Sequence, residues 1–75
     1  MIQQKQRMIK TLQGWMTAEA DFMIIYGSRG HWSVLPMNED GVDWNNEDLQ
    51  SHIWNGVKQD AINEIAILRN KQANQ

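Results

Sequence analysis

Two imidazoles, His31 and His52, and three serines, Ser28, Ser33 and Ser51, are the neutral side chains here with catalytic chemistry to offer. His52 follows Asp48 by four residues, a spacing that on a helix brings the two together as an ion pair or as two metal ligands. No third ligand stands at a telling distance, so neither a metal nor a cofactor is expected. Acyl transfer needs a nucleophile, an oriented base and an oxyanion site, and none of the serines has flanking residues that suggest one. Gly27-Ser28-Arg29-Gly30 lacks the lysine and the spacing of a phosphate loop. Zero cysteines remove thiol catalysis, thiolate zinc sites and disulfides together. The expectation is a protein that is not an enzyme.

Binding chemistry is better represented. Glu39, Asp40, Asp43, Glu47 and Asp48 put five carboxylates in ten residues without a Lys or Arg among them. The whole chain carries −2, so the remaining residues sum to +3 and charge is segregated along the sequence. A solvated loop leading into a helix N-terminus accounts for such a run; so does a docking surface for a partner with a basic face, because local acidity steers encounter with positive patches. A calcium loop fits poorly, since Asn38 to Asp43 lacks the required ligand spacing. Trp44 lies inside the acidic run, and tryptophan is enriched at interface hot spots. The partner-binding candidates are therefore Glu39, Asp40, Asp43, Trp44, Glu47 and Asp48. The other tryptophans, Trp15, Trp32 and Trp54, fall on apolar stripes and suit a small core built from large side chains. Nucleic acid is the weaker alternative. It would use Lys5, Lys10 and Arg29 with Tyr26 and Trp32 stacking on bases, but Lys5, Arg7 and Lys10 share no helical face.

These residues need elements to position them. Met8, Ile9, Leu12, Trp15 and Met16 recur at three- and four-residue steps and predict a helix over 3–19. Gly14 inside it calls for close packing of another backbone. Phe22–Tyr26 and His31–Leu35, joined by a Gly-containing loop, predict a β-hairpin. Pairing Tyr26 with His31 makes one face of Met23, Ile25, Trp32 and Val34. Phe22, Ile24, Tyr26 and Leu35 then lie on the opposite face, where a second copy of the chain would cover them in a homodimer. Asp40-Gly41 reads as a turn and Val42-Asp43-Trp44 as a short third strand. Leu49, Ile53, Trp54, Val57, Ala61, Ile65 and Leu68 stay in phase from 46 to 68 and predict a second helix, capped by Asn45 or Asn46. Asn55-Gly56 is the place where it would break. Residues 69–75 carry no core face and are expected to fray.

The expected architecture is thus α+β, a single domain over residues 1–75, in the order helix–hairpin–(short strand)–helix with both helices on one sheet face. Seventy-five residues bury only about 60% of their unfolded surface, which leaves little room for a deep pocket. No apolar run approaches the ~18 residues of a membrane span. Met1–Lys10 and Ala18-Glu19-Ala20 imitate a secretory signal, but Thr11–Thr17 is too polar between them, and a cytoplasmic protein is expected.

Trp15, Ile24-Ile25-Tyr26, and the helical run Ala61, Glu64, Ile65, Leu68 and Arg69 resemble a family of short uncharacterised proteins of bacterial prophages and genomic islands. The likeness covers about a third of the chain and stops between His31 and Gln59. It implies an accessory gene of a phage or mobile element, a class rich in binders of host or rival-defence proteins. It assigns no functional residue. The sequence thus points to a non-enzymatic protein–protein binder, an inhibitor or modulator of a host protein, with a homo-oligomer or a nucleic-acid module as alternatives.

Overall fold

The computed structural model describes residues 6–74. It contains a six-stranded antiparallel sheet and one C-terminal helix, in place of the expected helix–hairpin–helix. The strands are β1 (Met8–Lys10), β2 (Trp15–Thr17), β3 (Phe22–Tyr26), β4 (Trp32–Asn38), β5 (Gly41–Val42) and β6 (Ser51–Ile53). A 3-10 turn, Glu47–Leu49, precedes β6, and α1 spans Lys58–Ala73. β1 to β4 form a meander, and β5 and β6 both pair with the free edge of β4.

The expected first helix is a hairpin. Lys10 pairs with Trp15 and Met8 with Thr17, so Met8 and Trp15 reach the core by alternation rather than by helical turn. Gly14 explains why: a Cβ there would overlap the Ile24 carbonyl oxygen and come within 3.2 Å of Ile25 Cα, so only glycine lets the two backbones approach this closely. That approach docks β2 on β3. Residues 3–5 of the expected helix lie outside the described residues.

The β3–β4 hairpin is present, shifted by one residue from the expected pairing. Tyr26 opposes Trp32, Ile24 opposes Val34 and Phe22 opposes Pro36. The loop turns through Arg29 and Gly30, both with positive φ (54° and 75°), and the His31 N–H donates to Ser28 O. Two successive positive φ values are the signature of the turn that matches strand twist. Because side chains alternate with period two, one step of register exchanges the faces. Phe22, Ile24, Trp32 and Val34 therefore lie under the helix, and Met23, Ile25 and Leu35 face away from it.

Across the helix side runs the row Lys10, Trp15, Ile24, Val34 and Ser51. Ala61, Ile65 and Leu68 of α1 cover it, with Ile62 at the margin. On the opposite side Ile9, Met16, Met23 and Leu35 form an apolar row with no helix over it among the described residues.

The expected second helix also divides. β5 and β6 are one strand interrupted by residues 43–50, since Val42 opposes Met37 and Ser51 opposes Val34. Pro36 stands on β4 at the interruption. The Met37 N–H donates toward β3, to Asp21 O at 2.9 Å, so the Pro36 nitrogen faces the free edge and offers no donor there. The Pro36 carbonyl accepts from the Asp43 N–H at 2.9 Å, and the chain then leaves the sheet. Leu49 at the far end of the excursion plugs the core between sheet and helix. Asn55 (φ 57°) and Gly56 form the break before α1, whose first turn is closed by Asp60 Oδ2 accepting from the Val57 N–H at 2.9 Å. The cap expected at Asn45 or Asn46 thus belongs twelve or eleven residues later, to the Val57–Asp60 pair. The segment expected to fray from 69 is helical to Ala73. No helix among the described residues is long and apolar enough to cross a membrane.

Candidate functional site

The acidic candidates occupy one end of β4. Glu39 and Asp40 are the tip of the β4–β5 turn, where Asn38 Oδ1 accepts from the Asp40 N–H at 2.9 Å. Asp43, Trp44, Glu47 and Asp48 lie on the excursion between β5 and β6. The excursion is held from both ends: Gln50 Nε2 donates to Trp44 O at 3.0 Å, and Lys71 Nζ reaches from the helix to Asp48 O at 2.7 Å. None of the five carboxylates forms an ion pair among the described residues. The Trp44 side chain is 60% exposed and has no aromatic neighbour among the described residues. The six candidates therefore flank β5, two on the turn before it and four on the excursion after it.

The self-association candidates fare differently. Phe22 (1% exposed) and Ile24 (0%) lie beneath α1, and Leu35 is buried on the other side of the sheet. Tyr26 alone of the four is open, at 46%. The register step is the physical reason, and the homodimer surface expected from these four residues does not exist as one face.

His52 is on β6, not on a helix, so its expected contact with Asp48 is replaced by another. Ser33 Oγ stands 3.2 Å from His52 Nδ1 across the β4–β6 pair. His31 stacks on His52 (5.6 Å between centroids) and on Trp54 (4.0 Å, 13° between planes). A serine beside an imidazole is the start of a nucleophile–base pair, but no third group orients the ring through a hydrogen bond among the described residues. No cluster of three or more His, Asp or Glu suited to a metal occurs among them either.

A charged network sequence reasoning missed ties α1 to the β2–β3 turn. Arg69 Nε and Nη2 donate to the two Asp21 oxygens at 2.7 and 2.8 Å, and Nη1 donates to Gln6 Oε1 at 2.5 Å. The Thr17 hydroxyl, buried, donates to Asp21 Oδ1 and accepts from the Asp21 and Phe22 N–H groups. Arg69 hydrogen bonds hold the Asp21 carboxyl below its ordinary range against the opposing effect of burial, and Thr17 adds to the lowering. Glu19 is lowered as well, first by its hydrogen bond from Gln6. Arg69 also pairs with Glu19 Oε1 at 3.3 Å in the same turn, and 48 residues separate Arg69 from Asp21.

The pair is a third exposed, so screening limits its contribution to about 1 kcal/mol. In the unfolded chain Asp21 titrates at about 3.9, and in the fold it titrates lower. The contribution is therefore complete above the unfolded value and fades as pH falls through the folded one. Asp21→Asn should lower the urea midpoint at pH 7 and flatten its decline between neutral and strongly acidic pH. A decline as steep as that of the parent protein would show that Asp21 is not the acid-sensitive group.

At the opposite end of β4 the candidates named for nucleic acid come together. Tyr26 and Trp32 share a face, with ring centroids 4.8 Å apart, and the expected placement on opposite faces is corrected by the register. Trp15 lies 5.8 Å from Trp32, with Lys10 Nζ 4.2 Å and Lys58 Nζ 4.4 Å from its ring centroid. Lys5 lies outside the described residues. Comparison with protein-family models, with curated proteins and with solved structures finds no match, so the roles of these residues rest on this chain's own geometry.

Proposed function

We infer that this chain is a non-enzymatic binding protein that docks on a basic surface of another protein through Trp44 and the carboxylates around it. The observation that carries this is the exposed Trp44 indole on a loop pinned by Gln50 and Lys71, flanked by acids without counter-ions among the described residues. Leaving a tryptophan in water on an ordered loop forgoes the burial that a small core can use. Aromatic anchors ringed by charge are the usual composition of a hot spot, with the charges setting encounter rate and orientation. In this reading the partner is a bacterial host or rival-defence protein and this chain its inhibitor or modulator, as the resemblance to prophage proteins implies.

Trp44→Ala should leave folding stability within about 0.5 kcal/mol, since the side chain is largely exposed and lies outside the buried cluster. It should weaken partner binding by about 2 kcal/mol or more, roughly thirtyfold. Reversing Asp40, Asp43 and Glu47 to Lys should slow association and abolish its salt dependence. The measurement is capture from bacterial lysate with the parent and both variants as baits, followed by binding kinetics on the protein recovered. A partner that binds all three baits alike would refute the docking surface.

A further inference from the structure

The end of the sheet opposite the acidic loop has the chemistry of a second, separate surface. Trp15, Trp32 and Tyr26 form a continuous aromatic ladder on the helix side of the sheet, with steps of 5.8 and 4.8 Å. Two ammonium groups converge on its first ring: Lys10 from β1 and Lys58 from the first turn of α1. Like charges brought to one ring repel unless something negative sits near them. No ion pair to either lysine occurs among the described residues. The positive pole of the sixteen-residue helix adds to the field at Lys58.

The far end of the ladder is also cationic. The Gly30 N–H donates to Tyr26 Oη at 3.1 Å, which lays the tyrosine against the β3–β4 loop beside Arg29. Arg29 is exposed and held at φ 54° by the turn, so its position is set by the backbone rather than by a partner. Tyr26 is nearly half exposed, at the end of the ladder that adjoins the loop carrying Arg29. A ring open for stacking, with positive charge before and after it, matches a chain whose repeating unit is an anionic link and a planar base. Paired bases hide their faces in the duplex, whereas unpaired ones offer them.

We propose that this end of the protein binds single-stranded nucleic acid, with a base on Tyr26 and phosphates at Lys10, at Lys58 and at Arg29. The net charge of −2 does not oppose this, because the acids of residues 39–48 sit at the other end of β4. The surface is independent of the Trp44 loop and goes beyond the docking function inferred there.

The test uses the intact protein and a labelled oligothymidylate of about a dozen nucleotides, read by fluorescence anisotropy. Binding should weaken with salt, with log K against log salt sloping at roughly −2 for three phosphate contacts to a single strand. Tyr26→Ala should reduce affinity at least fivefold. Lys10→Gln with Lys58→Gln should reduce it further and flatten the salt slope, while circular dichroism shows the fold intact. Tyr26→Phe should retain most of the affinity, which separates stacking from the hydrogen bond to Gly30. No anisotropy change at about 50 mM salt would overturn the proposal. Equal binding of a duplex of the same length, or of poly-glutamate, with no effect of Tyr26→Ala would overturn it too, by showing a mere polyanion contact.

Discussion

Gly14→Ala should destabilise the protein by about 3 kcal/mol or more, at the upper end of what overpacking costs. The new Cβ would overlap the Ile24 carbonyl oxygen and press on Ile25 Cα, both backbone atoms in the middle of the sheet. A flexible side chain could swing away; β3 cannot, because it is paired on both edges. The strain must then lift β1 and β2 off β3. For a domain of this size total stability is about 4–11 kcal/mol, so the substitution removes roughly a quarter to three quarters of it. Each kcal/mol corresponds to about 4–8 °C in melting temperature. Gly41→Ala is the control. A Cβ there meets nothing within 4 Å, and its cost, about 1–2 kcal/mol, comes only from the positive φ of 114°. Thermal melts of the two variants should differ by well over 5 °C, and equal melts would mean that the close approach at Gly14 is not rigid. Lifting the hairpin also moves Lys10 and Trp15 from Lys58, so oligonucleotide affinity should fall with the hairpin while the Trp44 surface stays in place.

The Gly14 contact shows where sequence periodicity loses its power in a chain this small. Met8, Ile9, Leu12, Trp15 and Met16 satisfy a helical stripe, yet a hairpin with Lys10 opposite Trp15 delivers Met8 and Trp15 to the same core. Nothing local separates the two. The deciding contact is with Ile24, ten residues on, and Gly14 was the signal that another backbone comes near. The long second stripe was ambiguous for the same reason. Leu49, Ile53, Ala61, Ile65 and Leu68 do share one core, but a 3-10 turn, a strand and a helix supply them in turn. Asn55, with its positive φ, and Gly56 were the legible break. Legible too were the β3 and β4 segments and the acidic loop, whose composition excludes burial. What no spacing could show are contacts between distant segments: Ser33 with His52, Arg69 with Asp21, and Lys58 with the Trp15 indole.

Phe22→Ala and Ile25→Ala together test the register on which both surfaces depend. Phe22 is enclosed by the helix side of the sheet, and truncating it should cost about 3–5 kcal/mol, the range for a buried aromatic. Ile25, three residues along the same strand, points away from the helix and is only half buried. Its truncation should cost about 1 kcal/mol, because little cavity forms where water already reaches. If Tyr26 opposed His31 instead of Trp32, every side chain of β3 would change sides and the order of the two costs would reverse. Urea titrations of the two variants decide the matter, with the slope of each transition confirming that the same surface unfolds. The consequence reaches the function. Trp15 opposes Ile24, so Tyr26, two residues along β3, shares its side, and the pairing of Tyr26 with Trp32 brings the β4 indole to that side as well. A larger loss for Ile25 than for Phe22 would put α1 over the other side of β3, taking Lys58 away from Trp15 and Tyr26 and dissolving the cationic surface around the aromatic ladder.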